Sequence, residues 1–148
     1  MGLIQKLTNK TVFLDTAPFI YYIEENQKYS PLLDKLFLAN SKGKCFFQTS
    51  VITLLEVLVH PMRHNEHQLV EQYQNILCSS YTISVFELNI EIAKRAAGFR
   101  AKYGLKTPDS IQIATAIYAS AEFFLTNDNQ LNIVKEIEIL VLDELIKV

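Results

Sequence analysis

Five short apolar runs, separated by segments with helical patterns, constrain the fold of this 148-residue chain most strongly. The five predicted strands are Thr11–Leu14, Cys45–Gln48, Tyr81–Val85, Phe123–Thr126 and Glu138–Leu142. Short strands that alternate with helices are typical of βαβ units, in which helices cover both faces of a parallel sheet. We therefore predict an α/β fold, a three-layer α/β/α sandwich around a central, mostly parallel sheet of about five strands. The length fits one ordinary domain, so residues 1–148 are predicted to form a single domain.

Capping residues and helix breakers indicate the limits of several helices. Thr49 or Ser50 is expected to cap the next helix, SVITLLEVLVH, which is apolar almost all round and is therefore predicted to be buried. Pro61 is predicted to end this helix, because proline lacks the N–H group of a continuing helix. A polar amphipathic helix is predicted over His64–Leu77. A helix is also predicted over Asn89–Tyr103, with Gly104 as its C-terminal stop.

Composition and charge exclude several classes of protein. Apolar residues make up 49% of the chain, which is enough to build a core. The formal net charge is −2, unlike that of a protein that wraps nucleic acid by bulk electrostatic attraction. We find neither an apolar run of about 18 residues nor a signal-peptide pattern, and therefore expect a cytoplasmic protein with no place in a membrane. Cys45 and Cys78 are expected to be buried free thiols.

Four acidic residues occupy positions that the fold alone does not require. Asp15 directly follows the first predicted strand, and Asp128 lies just beyond the fourth. Asp109 falls in the first turn of a helix that Thr107–Pro108 begins, and Glu56 lies in the middle of the apolar helix. A charge inside a buried helix is costly unless it is paired or bound to metal. Because ligands bind at the carboxyl ends of strands in open parallel sheets, we expect these carboxylates to meet at one edge of the sheet.

Each acid also has a structural interpretation when taken alone. Asp15 can cap a helix, Asp109 can favour a helix dipole, Asp128 can stabilise a turn, and a Lys or Arg partner can satisfy Glu56. Together they predict a metal pocket, because clustered carboxylates repel one another unless a hard cation neutralises them. Oxygen ligands favour Mg²⁺ or Mn²⁺ over Zn²⁺.

The histidines have near-helical spacing but do not lead us to expect a zinc site. These residues are His60, His64 and His67. Pro61 is predicted to break the helix between them, which would separate their imidazoles.

Four segments that carry these acids resemble the acidic motifs of PIN domains. VFLDTAPFIYYIE contains Asp15, TSVITLLEVLVHP contains Glu56, KTPDSIQIATAIYA contains Asp109, and FFLTNDNQL contains Asp128. Their order and spacing match over about residues 11–143, and the nearest branch looks like the small prokaryotic PIN proteins, including VapC-type toxins. The resemblance implies an α/β/α sandwich and Mg²⁺- or Mn²⁺-dependent ribonuclease activity. It also implies supporting roles for polar residues that match positions near the pocket: Thr16, Ser50 and Thr126.

The leading hypothesis is therefore a metal-dependent endoribonuclease, the toxin of a toxin–antitoxin pair. Its expected partners are RNA, a cognate antitoxin and a second copy of the chain. Candidate phosphate contacts are the basic residues that precede Asp109: Arg95, Arg100, Lys102 and Lys106. Two alternatives remain open from the sequence, a PIN-like module that binds RNA or protein without cutting and a housekeeping nuclease without an antitoxin.

Overall fold

A computed structural model of the protein describes residues 2–147. The strands are β1 (Thr11–Leu14), β2 (Phe46–Ser50), β3 (Ile83–Phe86), β4 (Phe123–Thr126) and β5 (Glu138–Val141). The helices are α1 (Leu3–Leu7), α2 (Thr16–Ile23), α3 (Ser30–Ser41), α4 (Val51–Arg63), α5 (His67–Cys78), α6 (Ile90–Tyr103), α7 (Thr107–Tyr118) and α8 (Leu142–Leu145). A 3₁₀ turn covers Asn129–Ile133. No helix within residues 2–147 is long and apolar enough to cross a membrane.

The central sheet has five strands in the order β3-β2-β1-β4-β5, and every pair is parallel. The middle strand is β1, in which Val12 lies opposite Phe47 of β2 and Phe123 of β4. The rings of Phe13 and Phe124 stack across β1 and β4 with centroids 5.4 Å apart. The prediction of a mostly parallel sheet of about five strands is confirmed, and the sheet is parallel throughout.

Helices cover both faces of the sheet, as the short apolar strands predicted. Val12 and Leu14 point into a core that α1 to α5 share on one face. Phe13, between them, points into a second core built mainly with α6, α7 and the 3₁₀ turn. Because successive side chains of a strand point to opposite faces, a strand buried on both sides must be continuously apolar. The three-layer α/β/α prediction is confirmed.

Several predicted strand limits differ from the observed ones by one or two residues. The second strand begins at Phe46 rather than Cys45 and runs on to Ser50, and the fifth ends at Val141. The third begins only at Ile83, since the hydroxyl of Ser80 accepts from the backbone N–H of Thr82 (3.3 Å) and holds a turn there. Boundary residues depend on such local hydrogen bonds, which an apolar run does not reveal.

The prediction that Pro61 ends the fourth helix is wrong. Pro61 lies inside α4, which continues to Arg63. The backbone N–H of His64 still bonds to the carbonyl of His60 (3.1 Å), so the proline removes one hydrogen bond near the end without stopping the helix. The next helix begins at His67 rather than His64, because Asn65 adopts a left-handed conformation (φ 54°) and turns the chain.

The prediction that α4 is buried all round is also wrong. Its buried residues are Thr53, Val57 and Pro61, which share one face at four-residue spacing. The opposite face carries exposed apolar side chains: Leu55, Val59 and Met62, which are 59%, 45% and 52% exposed. We call these three residues the α4 stripe.

The two cysteines also differ in their surroundings. Cys45 is buried, as predicted, whereas Cys78 is exposed at the end of α5. The expectation of a buried thiol is therefore wrong for Cys78.

Candidate metal pocket

The carboxyl edge of the sheet between β1 and β4 carries the first candidate acids. Asp15 follows β1 directly and caps α2, and Asp128 follows β4 and caps the 3₁₀ turn. Asp109 lies in the first turn of α7, and Glu56 lies midway along α4. Two acids thus stand at the ends of adjacent strands, and helices from both faces of the sheet contribute the others.

Hydrogen bonds hold the Asp15 carboxylate in one orientation. Its Oδ1 accepts from the backbone N–H of Thr16 (2.9 Å), and its Oδ2 accepts from the hydroxyl of Thr126 (2.8 Å). The pKa of Asp15 is raised to about 6, mainly by burial and further by the charges of Asp109 and Glu56, while these two hydrogen bonds act in the opposite direction. The carboxylate is therefore held in place but is costly to ionise without a cation.

Thr126 connects Asp15 to the loop that follows β4. Its hydroxyl donates to Asp15 and accepts from the backbone N–H of Asp128 (3.1 Å). Oδ1 of Asp128 in turn accepts from the N–H of Gln130 (3.0 Å). One threonine thus fixes the relative positions of two of the four acids.

Glu56 is exposed, so the sequence argument that its charge is costly inside a buried helix is wrong. The hydroxyl of Thr16 donates to Oε1 of Glu56 (2.6 Å), which holds the carboxylate beside the residue that follows Asp15. Within residues 2–147, Glu56 forms no ion pair with a Lys or Arg side chain, so the predicted structural alternative for this acid is absent.

Asp109 is half-buried, and the charges of other acids affect its pKa. Burial raises its pKa first, and the charges of Asp128 and Glu56 raise it further, while Lys106 acts in the opposite direction. The charges of Asp128 and Glu56 thus lie near enough to Asp109 to make its ionisation less favourable. Like charges gathered in this way are stabilised by a cation.

The four acids lie farther apart than ligands that all contact one ion directly. Within residues 2–147, only one group of three His, Cys, Asp or Glu residues has ligand atoms that all lie within 4.8 Å of one another, and that group lies outside the pocket. No three of the four carboxylates of the pocket are therefore that close together. Mg²⁺ keeps several waters in protein sites and often takes only one or two carboxylates directly. An all-oxygen set with room for water therefore suits Mg²⁺ or Mn²⁺.

Gln112 is a residue that the sequence analysis missed. It lies on α7 about one turn after Asp109 and is 1% exposed. Its Nε2 donates to the hydroxyl of Thr53 (2.6 Å) and approaches Oδ1 of Asp15 (3.5 Å), while its Oε1 accepts from the hydroxyl of Ser50. A lone amide on the buried face of an Ala-rich helix was the available signal.

Ser50 reaches the pocket only through this amide. Its hydroxyl accepts from the N–H of Ile52 (3.1 Å) and so caps α4, as predicted. The same hydroxyl donates to Gln112, which stands between Ser50 and Asp15. Ser50, predicted to support the pocket, is therefore connected to the nearest acid, Asp15, through the side chain of Gln112 rather than directly.

Replacing Gln112 with Leu should destabilise the protein by about 2–4 kcal/mol, because two buried hydroxyls lose their amide partner. The expected fall in melting temperature is roughly 5–12 °C for a chain of this length. Thermal unfolding followed by circular dichroism measures it. The matched control is Gln74→Leu, at an exposed position of α5, which should leave the melting temperature nearly unchanged. Equal melting temperatures for the two variants would show that the network contributes little.

The four basic residues predicted to contact phosphate have different surroundings. Arg95 pairs with Glu91 (3.2 Å), and Lys102 pairs with Glu136 (2.9 Å). The guanidinium of Arg100 donates to the carbonyl of Leu105 (2.9 Å). Lys106 lowers the pKa of Asp109, so its ammonium lies near the pocket. The RNA-binding role of the four residues stays a prediction.

Comparisons with known proteins agree on one fold. The model of the PIN domain family matches residues 12–137. VapBC2 from Rickettsia felis, solved with a promoter DNA fragment, is 14% identical with a TM-score of 0.70, covering 88% of this chain and 98% of that one. A toxin–antitoxin complex from Klebsiella pneumoniae is 20% identical with a TM-score of 0.65, covering 88% and 97%. Mycobacterium tuberculosis VapC20, described as a sarcin–ricin loop cleaving toxin, is 14% identical with a TM-score of 0.64, covering 76% and 86%. No curated protein matches the sequence.

Proposed function

Because this chain belongs to the PIN domain family, we propose that it is a metal-dependent endoribonuclease and the toxin of a toxin–antitoxin pair. The observation that carries the proposal is the meeting of four acids at the carboxyl edge of the sheet, where Asp15 and Asp109 have raised pKa values. Such a cluster is unfavourable for the fold and favourable for holding a cation beside a phosphate.

Asp15, Glu56, Asp109 and Asp128 are the residues that would hold Mg²⁺ or Mn²⁺, directly or through water. When bound, the ion screens the phosphate, lowers the pKa of a coordinated water and stabilises charge on the leaving oxygen. The remaining functions fall to the chain's own side chains. Thr126 fixes the position of Asp15 relative to the loop of Asp128 through two hydrogen bonds, and Thr16 positions Glu56 through one.

Glu56 is the best candidate to take the proton of the attacking water. It is exposed, and no group within residues 2–147 donates a hydrogen bond to its Oε2, whereas both oxygens of Asp15 accept hydrogen bonds. A general base needs a free oxygen within reach of the water. Lys106, near Asp109, supplies positive charge for the incoming phosphate backbone.

The proposed substrate is RNA, and the proposed place of action is the cytoplasm. The description of VapC20 as a sarcin–ricin loop cleaving toxin concerns that protein, and it favours a structured RNA as the first substrate to test here. In vitro cleavage with mapped products, with and without Mn²⁺, tests the activity. RNA binding without cleavage would favour the non-cleaving alternative, and cleavage by a chain with no partner encoded beside it would favour a housekeeping nuclease.

The α4 stripe is the proposed surface for the antitoxin. Several similar structures are toxin–antitoxin complexes, and the stripe offers apolar side chains at positions i, i+4 and i+7 of the helix that carries Glu56. A helix or extended segment of the antitoxin bound there would lie beside the pocket, so the bound antitoxin would also inhibit cleavage. A homodimer, expected from the resemblance, is proposed as a further assembly.

Replacing Val59 with Lys should weaken antitoxin binding at least about tenfold, because a charge enters the middle of an apolar contact. Titration calorimetry with the product of the neighbouring gene measures the change. Leu38→Lys is the control, since Leu38 is 54% exposed on α3, outside the stripe. If Leu38→Lys weakens binding and Val59→Lys does not, the antitoxin binds elsewhere.

A further inference from the structure

The corner between α4 and α5 brings together His60, His64 and Glu66, which have no part in the acidic pocket. One ligand atom from each lies within 4.8 Å of the other two, and all three residues are exposed. Nε2 of His60 is 3.9 Å from Oε1 of Glu66. We propose that these residues form a binding site for a transition-metal ion such as Zn²⁺, separate from the Mg²⁺ or Mn²⁺ pocket.

The backbone builds this arrangement in two steps. Because α4 continues through Pro61, His60 and His64 are one helical turn apart on the same face, and their ring centroids are 4.1 Å apart. Asn65 then turns the chain, and the N–H of Glu66 bonds to the carbonyl of Pro61 (2.9 Å). The glutamate is thereby returned to the side of His60.

A hydrogen bond prepares His64 as a ligand. Its Nδ1 lies 2.9 Å from the carbonyl oxygen of His60. A carbonyl can only accept, so Nδ1 carries the hydrogen and a neutral ring leaves Nε2 with a free electron pair. Imidazoles that bind metals commonly donate their other N–H in this way, which fixes the tautomer and the ring orientation.

The donor set selects a different ion from that of the pocket. Two imidazole nitrogens and one carboxylate oxygen suit Zn²⁺, Ni²⁺ or Cu²⁺, whereas Mg²⁺ prefers oxygen ligands throughout. In tetrahedral zinc sites the ligand atoms are about 3.3 Å apart. All three side chains are exposed and their ligand atoms already lie within 4.8 Å of one another, so small side-chain rotations suffice to reach that spacing. Three protein ligands leave the fourth position to water.

Bound metal would tie the end of α4 to the beginning of α5. The ion would bind the folded corner and not the dispersed ligands of the unfolded chain, so it should raise the melting temperature. At free zinc about a hundred times the dissociation constant, the expected rise is roughly 5–10 °C. The site thus offers a stabilising contact that depends on transition-metal supply.

Competing ligands must be removed for a clear test. The protein is used without an affinity tag, with Asp15→Asn to weaken the acidic pocket, Cys78→Ser to remove the exposed thiol, and excess Mg²⁺ throughout. Zinc titration by calorimetry should then show one ion per chain. His60→Ala and His64→Ala should each lower the affinity at least about tenfold. His67→Ala is the matched control, the neighbouring histidine outside the cluster, and should leave the affinity unchanged.

Imidazole NMR signals give a second readout that a general effect on folding would not reproduce. The chain has only three histidines, so zinc should shift the ring signals of His60 and His64 and leave those of His67 in place. The proposal is overturned if no zinc binds in this background, if His67→Ala weakens binding as much as the other two variants, or if all three ring signals move alike. These outcomes are independent of ribonuclease activity.

Discussion

Asp15→Asn should abolish metal-dependent RNA cleavage, lowering the rate by about a thousandfold or more, while leaving the fold intact. The asparagine oxygen can still accept from the N–H of Thr16, and its amide can donate to the hydroxyl of Thr126, so the local geometry survives. What disappears is the negative charge at the centre of the pocket. Asp109→Asn should act in the same direction, because Asp109 shares that space.

The assay compares cleavage of one structured RNA in Mn²⁺ by the wild type, by Asp15→Asn and by a matched control. Asp34→Asn serves as that control, because it makes the same chemical change at an exposed position of α3. Circular dichroism verifies folding of all three proteins. Expression in a bacterial host extends the comparison, since the wild type and Asp34→Asn should arrest growth and Asp15→Asn should not. Full activity in both Asp15→Asn and Asp109→Asn would show that other residues perform the cleavage.

The second large effect is the pH dependence of the metal-free protein. The pKa of Asp15 is about 6 in the folded state and 3.8 in the reference state. Its protonation therefore favours the folded state, and the contribution is complete below pH 3.8 and lost as the pH rises through 6. The loss amounts to about 3 kcal/mol in the free energy of unfolding. The raised pKa of Asp109 adds in the same direction.

With a divalent cation present, the stability of the protein should instead rise with pH, because the cation competes with the proton for Asp15. The apparent affinity for Mn²⁺ should fall about tenfold per pH unit below pH 6 for each proton displaced. Melting temperatures measured from pH 4.5 to 8, in a chelator and in Mn²⁺, record both effects. Other carboxylates titrate over the same range, so the informative quantity is the difference between the wild type and Asp15→Asn. Identical pH profiles for the two proteins would contradict the assignment of the raised pKa to Asp15.

The sequence was a good guide wherever the controlling interaction is local. An apolar strand followed at once by an acid, as in Leu14-Asp15, indicates both a buried strand and the edge at which it ends. A glycine after a helix, as at Gly104, indicates a left-handed cap, and its φ is 68°. Such signals require no knowledge of distant residues.

Interactions between distant residues could not be predicted in the same way. Gln112 approaches Asp15 across 97 residues, and nothing in its own segment identifies that partner. An apolar helix does not reveal which of its faces the sheet leaves uncovered, so the exposure of Glu56 and of the α4 stripe was missed. The corner at Pro61 and Asn65 likewise depends on a hydrogen bond from Glu66 that proline spacing does not encode.

The position of β1 at the centre of the sheet has a consequence for synthesis on the ribosome. One neighbour of β1 is β4, whose first residue, Phe123, is more than a hundred positions later. Until β4 emerges, one edge of β1 has no partner, and neither Thr126 nor Asp128 can join Asp15. The pocket therefore assembles only after residues 123–128 have been made. The proposed ribonuclease activity would thus be absent while the ribosome is still making the first four strands.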